Sequence, residues 1–118
     1  MDNRIDDKDL EFVNGGVNSS EEAISGAIGL LQEAVILCEQ SRQFMRFLYE
    51  PRISGLIQRL QSCNGDSDVI RDVVNELSRI SGELNNIIAD ITAHLPDAER
   101  RICGDVCSLL LEAINLLS

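Results

Sequence analysis

The stretch that decides the fold runs from Ile70 to Ile91 and reads IRDVVNELSRISGELNNIIADI. Its apolar residues alternate spacings of three and four without a miss: Ile70, Val73, Leu77, Ile80, Leu84, Ile87 and Ile91. In an α-helix this spacing places the side chains along one stripe, which packs at a shallow angle against another helix. Val69, Val74 and Ile88 widen the stripe, which favours a globular bundle over an isolated coiled coil.

A second apolar pattern lies earlier in the chain. Ser19, with Glu22 three residues later, fits a capping box, so a helix is expected to start there. Two adjacent stripes follow: Ile24, Ile28, Leu31, Val35, Cys38 and Met45, and then Ala27, Leu30, Ala34, Leu37, Phe44 and Leu48. This face is too wide for one neighbour, so the helix is expected to contact at least two others. Pro51 is expected to end or kink it.

The remaining segments supply one short and one long helix. The short amphipathic segment carries Ile53, Leu56, Ile57, Leu60 and Cys63. Gly65 then closes it, and Asp66 or Ser67 caps the next helix, which is expected to end at Leu95-Pro96 before a final helix begins at Asp97. The predicted fold is all-α: an up-and-down helical bundle of three long helices and one short helix over residues 17–118, preceded by a flexible leader over residues 1–16.

Residues 5–16, IDDKDLEFVNGG, carry a different signal. Counting back from Gly16, apolar residues occupy the fourth place (Val13), the seventh (Leu10) and the twelfth (Ile5), and Asp9 precedes Leu10. An amphipathic helix puts such positions on one stripe that a partner groove can bind. The glycine pair adds an extended stretch without side chains, which fits a narrow active site.

These residues resemble a double-glycine leader peptide. In that family, a cysteine-protease domain fused to an ABC exporter cuts after the second glycine and passes the remainder out of a bacterial cell. The resemblance implies recognition through four residues: Ile5, Asp9, Leu10 and Val13. It also implies cleavage after Gly15 and Gly16, immediately before Val17. Because the match covers about one seventh of the chain, it implies export and does not indicate the activity of the cargo.

Charge and composition exclude several classes of function. The net charge is −10, and a nucleic-acid-binding protein needs a basic face that this chain lacks. The same acidity disfavours attraction to anionic lipid. Membrane contact is supported only by the apolar character of the Gly26–Cys38 segment and of the final helix, whose default role is core packing. No apolar run is long enough for a transmembrane helix, and the acidic first residues do not form a secretory signal peptide.

Catalytic and cofactor-binding motifs are also missing from the sequence. His94 is the single histidine, and at the end of a predicted helix it is expected to be a packed or capping group. There is no glycine-rich phosphate loop and no Ser-His-acid order. The chain is therefore not expected to be an enzyme, and no cofactor or metal is expected.

The four cysteines leave two interpretations open. They are Cys38, Cys63, Cys103 and Cys107. Buried thiols are common in helical cores, whereas export would allow disulfides between helices. If disulfides form, Cys103 and Cys107 are expected to reach different helices, because residues one turn apart pair poorly with each other.

Together these features predict an exported bacterial protein, a bacteriocin-like or signalling cargo. Its leader would bind a peptidase-containing ABC transporter, and the cargo would be secreted after cleavage. The alternative is a cytoplasmic helical interaction protein, an immunity-type or adaptor bundle, whose acidic tail is incidental. That alternative predicts an intact N-terminus in cells and four free thiols.

Overall fold

The computed structural model describes residues 17–90, 92 and 94–118, and within them the chain forms an up-and-down helical bundle. Helix α1 spans Glu21–Gln40, α2 Glu50–Gln61, α3 Ser67–Ala89 and α4 Asp97–Leu117. A wide π-helical turn, Met45–Tyr49, leads directly into α2. The prediction of three long helices and one short helix is confirmed.

Helix α1 occupies the middle of the bundle. It packs against α4 and α2, and α4 packs in turn against α3. At one end the Asn18 N–H donates to the Leu117 carbonyl at 2.8 Å, and at the other the Ser41 hydroxyl donates to Glu99 at 2.5 Å. Helices α1 and α4 are therefore antiparallel over their whole length. The prediction that the first helix contacts at least two others is confirmed.

The buried face of α1 consists mainly of small residues: Ala23, Ala27, Leu31, Ala34 and Cys38. Small side chains let a neighbouring helix approach closely. Gly26 extends this effect, because a Cβ atom there would lie 2.9 Å from Leu116 Cδ1 of α4. At Gly29 a Cβ atom would meet nothing within 4 Å. Of these two glycines, Gly26 is therefore the one that a neighbouring side chain approaches closely.

The stripe on α3 forms the opposite side of the core. Its first five members are completely buried: Ile70, Val73, Leu77, Ile80 and Leu84. Ile87 is partly buried, and Ile91 lies outside the described residues. The expected helix end at Leu95-Pro96 is wrong, because α3 ends at Ala89. The Asp90 carboxylate accepts hydrogen bonds from the Thr92 N–H and hydroxyl, and this local turn takes the backbone off the helix.

The helix starts agree with the sequence to within one residue. Asp66 caps α3 by accepting from the Asp68 N–H, after Gly65 has turned the chain with a φ of +76°. The capping box assigned to Ser19 is wrong by one position. Ser20 has the extended backbone of a cap, and its hydroxyl accepts from the Ala23 N–H at 3.1 Å.

The end of α1 is the largest departure from the predicted fold. The helix was expected to continue through Leu48 to Pro51, but it ends at Gln40. Glu99 of α4 is the cause, because its carboxylate accepts from the Ser41 hydroxyl and from the Arg42 N–H at 3.1 Å. These bonds hold Ser41 and Arg42 away from a helical conformation. Pro51 does not end α1; it lies in the first turn of α2, where its missing N–H leaves no helical hydrogen bond unmade.

Replacing Glu99 tests this account of the break. Glu99 is only 7% exposed, so Glu99→Ala leaves a buried hydroxyl and an N–H without their acceptor. We expect the free energy of unfolding, measured by urea denaturation, to fall by about 2 kcal/mol. Glu99→Gln retains one acceptor and is expected to lose less. Glu112→Ala, an exposed site on the same helix, is the matched control, and an equal loss there would contradict the assignment.

Candidate functional site

The whole predicted leader, residues 1–16, lies outside the described part of the chain. This holds for the recognition residues and the glycine pair: Ile5, Asp9, Leu10, Val13, Gly15 and Gly16. Val17, on the other side of the predicted scissile bond, is the first described residue. The structure therefore bears on the cargo side of the junction.

The residues that follow the predicted scissile bond are held against the bundle. Val17 is partly buried and packs against the core. The Asn18 N–H bonds to the Leu117 carbonyl, and the Asn18 side-chain oxygen accepts from the Ser20 N–H at 3.1 Å. With Ser20 capping α1, each of these contacts is made within residues 17–118. The start of α1 and the end of α4 therefore form one small structural unit at the junction.

An open groove begins next to this junction and was not anticipated from the sequence. It has a volume of about 1280 Å³ and lies between the first half of α1 and the end of α2. Ile24, Ile28 and Leu60 supply apolar walls, and Glu21 and Glu22 lie at its α1 end. Sequence patterns could not indicate it, because it exists only where two helices diverge.

All four cysteines are buried free thiols: Cys38, Cys63, Cys103 and Cys107. Burial, followed by the charges of Glu50 and Cys103, raises the pKa of Cys38 to about 12. Burial raises the pKa of Cys103 to about 11. The Cys107 thiol lies 3.8 Å from the Ser81 carbonyl of α3. The disulfide prediction concerns an oxidised chain and stays a prediction.

A polar cluster joins the start of α2 to α3. The Tyr49 hydroxyl donates to Glu83 at 2.8 Å, and Arg52 bonds to Glu83 at 2.9 Å and to Glu76 at 2.7 Å. Burial and the bond to Glu83 raise the pKa of Tyr49 to about 12, while the bonds from Arg52 and Tyr49 lower the pKa of Glu83. Since every group has a partner, the cluster positions α2 and offers no free acid or base.

The π-helical turn exposes large apolar side chains. Phe47 is 67% exposed and Leu48 is 60% exposed. Leu48 was expected on the core stripe of the first helix, and that expectation is wrong because α1 ends eight residues earlier. Exposed apolar side chains of this size are typical of contact surfaces on helical proteins.

His94 does not take the packed or capping position expected for it. It is exposed, lies beyond the end of α3, and has a φ of +51°. Over residues 17–90, 92 and 94–118, no three His, Cys, Asp or Glu side chains are grouped so as to hold a metal ion. Over the same residues, no helix combines the length and apolar character needed to cross a bilayer.

No protein-family model, curated protein or solved structure matches this chain. Functional inference therefore rests on its own residues and their geometry.

Sequence reasoning missed two polar contacts that shape the molecule. Glu99 carried no signal, because an acidic residue in the first turn of α4 is ordinary for a helix start. Arg52 is equally inconspicuous in sequence. A faint indication was available at Ser41-Arg42-Gln43, three polar residues that interrupt both apolar stripes. The same interruption marks the end of α1.

The raised pKa values predict a loss of stability in alkali. Unfolded thiols have a pKa near 9 and unfolded tyrosine a pKa near 10, whereas in the fold burial raises the pKa to about 12 for Cys38 and Tyr49 and to about 11 for Cys103. As the pH rises, the unfolded chain therefore releases these protons before the folded chain does. The contribution of these groups to the free energy of unfolding is fully present below pH 9 and falls above it. We expect the free energy of unfolding, under reducing conditions, to fall by about 2–3 kcal/mol between pH 8 and pH 10.

Urea denaturation at several pH values measures this decline. The double variant Cys38→Ala, Cys103→Ala removes the two thiols and is expected to show a much shallower pH dependence. A wild-type free energy that stays constant up to pH 10 would contradict the burial of these thiols.

Proposed function

We propose that this chain is the precursor of an exported bacterial protein, a bacteriocin-like or signalling cargo. A peptidase-containing ABC transporter recognises its leader and cuts between Gly16 and Val17. The leader spacing carries the proposal, and contacts on the C-terminal side of Gly16 support it. The Ser20 cap on α1 and the bond from Asn18 to Leu117 of α4 join residues that all follow the scissile bond, so the cleaved product keeps both.

In this proposal the leader binds the peptidase domain, and the glycine pair allows the scissile bond to enter the active site. Ile5, Leu10 and Val13 occupy the groove of the peptidase domain as one helical stripe. Gly15 and Gly16 extend into the active site, where the cysteine thiolate attacks the Gly16 carbonyl. The Gly16–Val17 peptide bond breaks, and the Val17 nitrogen takes up a proton and leaves as the α-amino group of the cargo. Water then hydrolyses the thioester that holds the leader on the cysteine, and the cargo continues through the transporter.

Incubation of the full chain with such a peptidase domain, followed by mass spectrometry, tests the proposal. We expect a single cut that leaves Val17 as the first residue, and we expect Gly15→Pro to abolish it, because proline cannot adopt the backbone freedom of glycine there. Leu10→Ala is expected to slow cleavage about ten-fold or more through lost apolar burial. Phe12→Ala, off the recognition stripe, is the control. A cut elsewhere, or one unaffected by Gly15→Pro, would refute the leader assignment.

The geometry of the junction adds a condition on cleavage. A protease binds its substrate extended on both sides of the scissile bond, but Val17 packs against the core and Asn18 is bonded to Leu117. The end of α4 must therefore release these residues before the bond can enter a narrow active site. Cleavage and local opening of the bundle are coupled at this point.

Loosening the end of α4 is expected to speed cleavage. Leu117 is completely buried, and Leu117→Ala removes packing worth about 2–4 kcal/mol. We expect the cleavage rate at saturating peptidase to rise several-fold. Leu111→Ala, an exposed leucine on the same helix, is the matched control. Equal rates for wild type and Leu117→Ala would show that the junction is already free.

The cytoplasmic alternative is favoured by one observation, the exposed Phe47 and Leu48. Such a surface suits an adaptor or an immunity-type protein that binds a partner chain. Intact masses of the chain from the cytoplasm and from the culture medium separate the two proposals. A full-length chain confined to the cytoplasm supports the alternative, and a chain in the medium that starts at Val17 supports export.

A further inference from the structure

We infer that Cys38 of α1 and Cys103 of α4 form a disulfide when the chain folds in an oxidising environment, while Cys63 and Cys107 remain thiols. The inference builds on the proposed export, which places the cargo outside the reducing cytoplasm. The proposed site consists of the two thiols of Cys38 and Cys103, which a small-molecule or protein disulfide would oxidise.

The register of the two helices places these cysteines opposite each other. Helices α1 and α4 are antiparallel, and Ser41 bonds to Glu99 at one end of the pair. Cys38 precedes Ser41 by three residues and Cys103 follows Glu99 by four, so each lies about one helical turn inward from the same contact. Both side chains have no exposed surface. They therefore lie inside the same interface at the same level.

A disulfide also requires closely spaced helices, with Cα atoms about 4.4–6.8 Å apart. One turn before Cys38, the buried face of α1 carries Ala34, whose small side chain allows a neighbouring helix to approach. Ionised Cys103 also acts on Cys38 by raising its pKa, which is consistent with their proximity.

The other pairings are excluded by position. Cys63 shares the groove with Ile24 and Ile28, and ten residues of helix, about 15 Å, separate Ile28 from Cys38. The Cys107 thiol faces the Ser81 carbonyl at 3.8 Å and the Asn85 side chain at 3.6 Å, on a helix that contains no cysteine. Cys38 and Cys103 are thus the pair that the fold brings together.

The reaction is ordinary thiol–disulfide exchange with oxidised glutathione or a dithiol oxidase. One cysteine thiolate attacks the oxidant disulfide, forms a mixed disulfide and expels one thiolate. The second cysteine thiolate attacks the mixed disulfide, forms the Cys38–Cys103 bond and expels the other half of the oxidant as a thiolate. Two electrons pass to the oxidant, and the two protons lost by the cysteines accompany its reduction to two thiols.

The timing of this reaction follows from burial. In the folded chain the thiols have no exposed surface and raised pKa values, so few thiolates form and the oxidant has no access. The bond therefore forms during folding, before α1 and α4 close. Afterwards it encloses α2 and α3 in one covalent loop, which restricts the unfolded chain.

Refolding of the full chain tests the inference. Reduced, denatured chain is diluted into a glutathione redox buffer, trapped with an alkylating agent, digested without reduction and mapped by mass spectrometry. We expect a linked pair of peptides that contain Cys38 and Cys103, with Cys63 and Cys107 alkylated. The melting temperature is expected to exceed that of the reduced chain by about 10–20 °C. Four alkylated cysteines, or a link through Cys63 or Cys107, would overturn the inference.

Two controls separate the disulfide from a general effect on folding. The double variant Cys63→Ser, Cys107→Ser retains the proposed pair and is expected to form the link and show the same rise in melting temperature between its reduced and oxidised forms. Cys38→Ala is expected to melt at the same temperature in both forms. If Cys38→Ala fails to fold, the peptide map of the wild type still decides the pairing.

A further experiment tests when the disulfide forms, and the results also separate the disulfide proposal from the leader proposal. Oxidant added to chain that is already folded and reduced is expected to form the link at least about ten-fold more slowly than during refolding; equal rates would overturn the proposed order of events. Because refolding requires no peptidase, an absent link with correct cleavage at Val17 refutes the disulfide alone. A correct link without cleavage refutes the leader alone.

Discussion

The structure depends on the carboxylate of Glu99, which accepts hydrogen bonds from the Ser41 hydroxyl and the Arg42 N–H, just after the end of α1 and 58 and 57 positions earlier in the chain. These bonds end α1 at Gln40 and determine where α4 begins relative to it. A buried carboxylate is costly unless its oxygens are paired, so the register that pairs them is strongly preferred over a slip by one turn. The apolar stripes alone, being periodic, would tolerate such a slip.

From this register follow the two features on which the functional inferences rest. At the Glu99 end, Cys38 and Cys103 are both buried and each lies about one helical turn from the Ser41–Glu99 bond. At the far end, the antiparallel arrangement brings Asn18 to Leu117, so the start of the cargo and the end of α4 share one contact. The alanine-rich face of α1 matters at both ends of the α1–α4 pair. Bulkier side chains there would move Cys38 away from Cys103 at one end and Asn18 away from Leu117 at the other.

How far the fold could be predicted follows from the range of the forces involved. The α3 stripe from Ile70 to Leu84 was predictable because its periodicity is local and its neighbours only need to be apolar. The cap at Asp66 was predictable because the cap and its N–H partner lie two residues apart. The end of α1 was not, since its cause lies on another helix. The groove beside Ile24 and the thiol pairing likewise emerge only when helices are placed together.

The proposed export requires a fold that can open, and the kind of contact within the bundle bears on this. Its helices are held mainly by aliphatic burial, and the Arg52 pairs with Glu76 and Glu83 are partly exposed, where ion pairs contribute little. Such a fold opens and recloses without breaking covalent bonds, as passage through a transporter requires. A bond between Cys38 and Cys103 before export would oppose that opening, and after export it would preserve the fold. Because both thiols are buried in the folded, reduced chain, the proposed order of events is translocation first, then formation of the bond as the chain refolds.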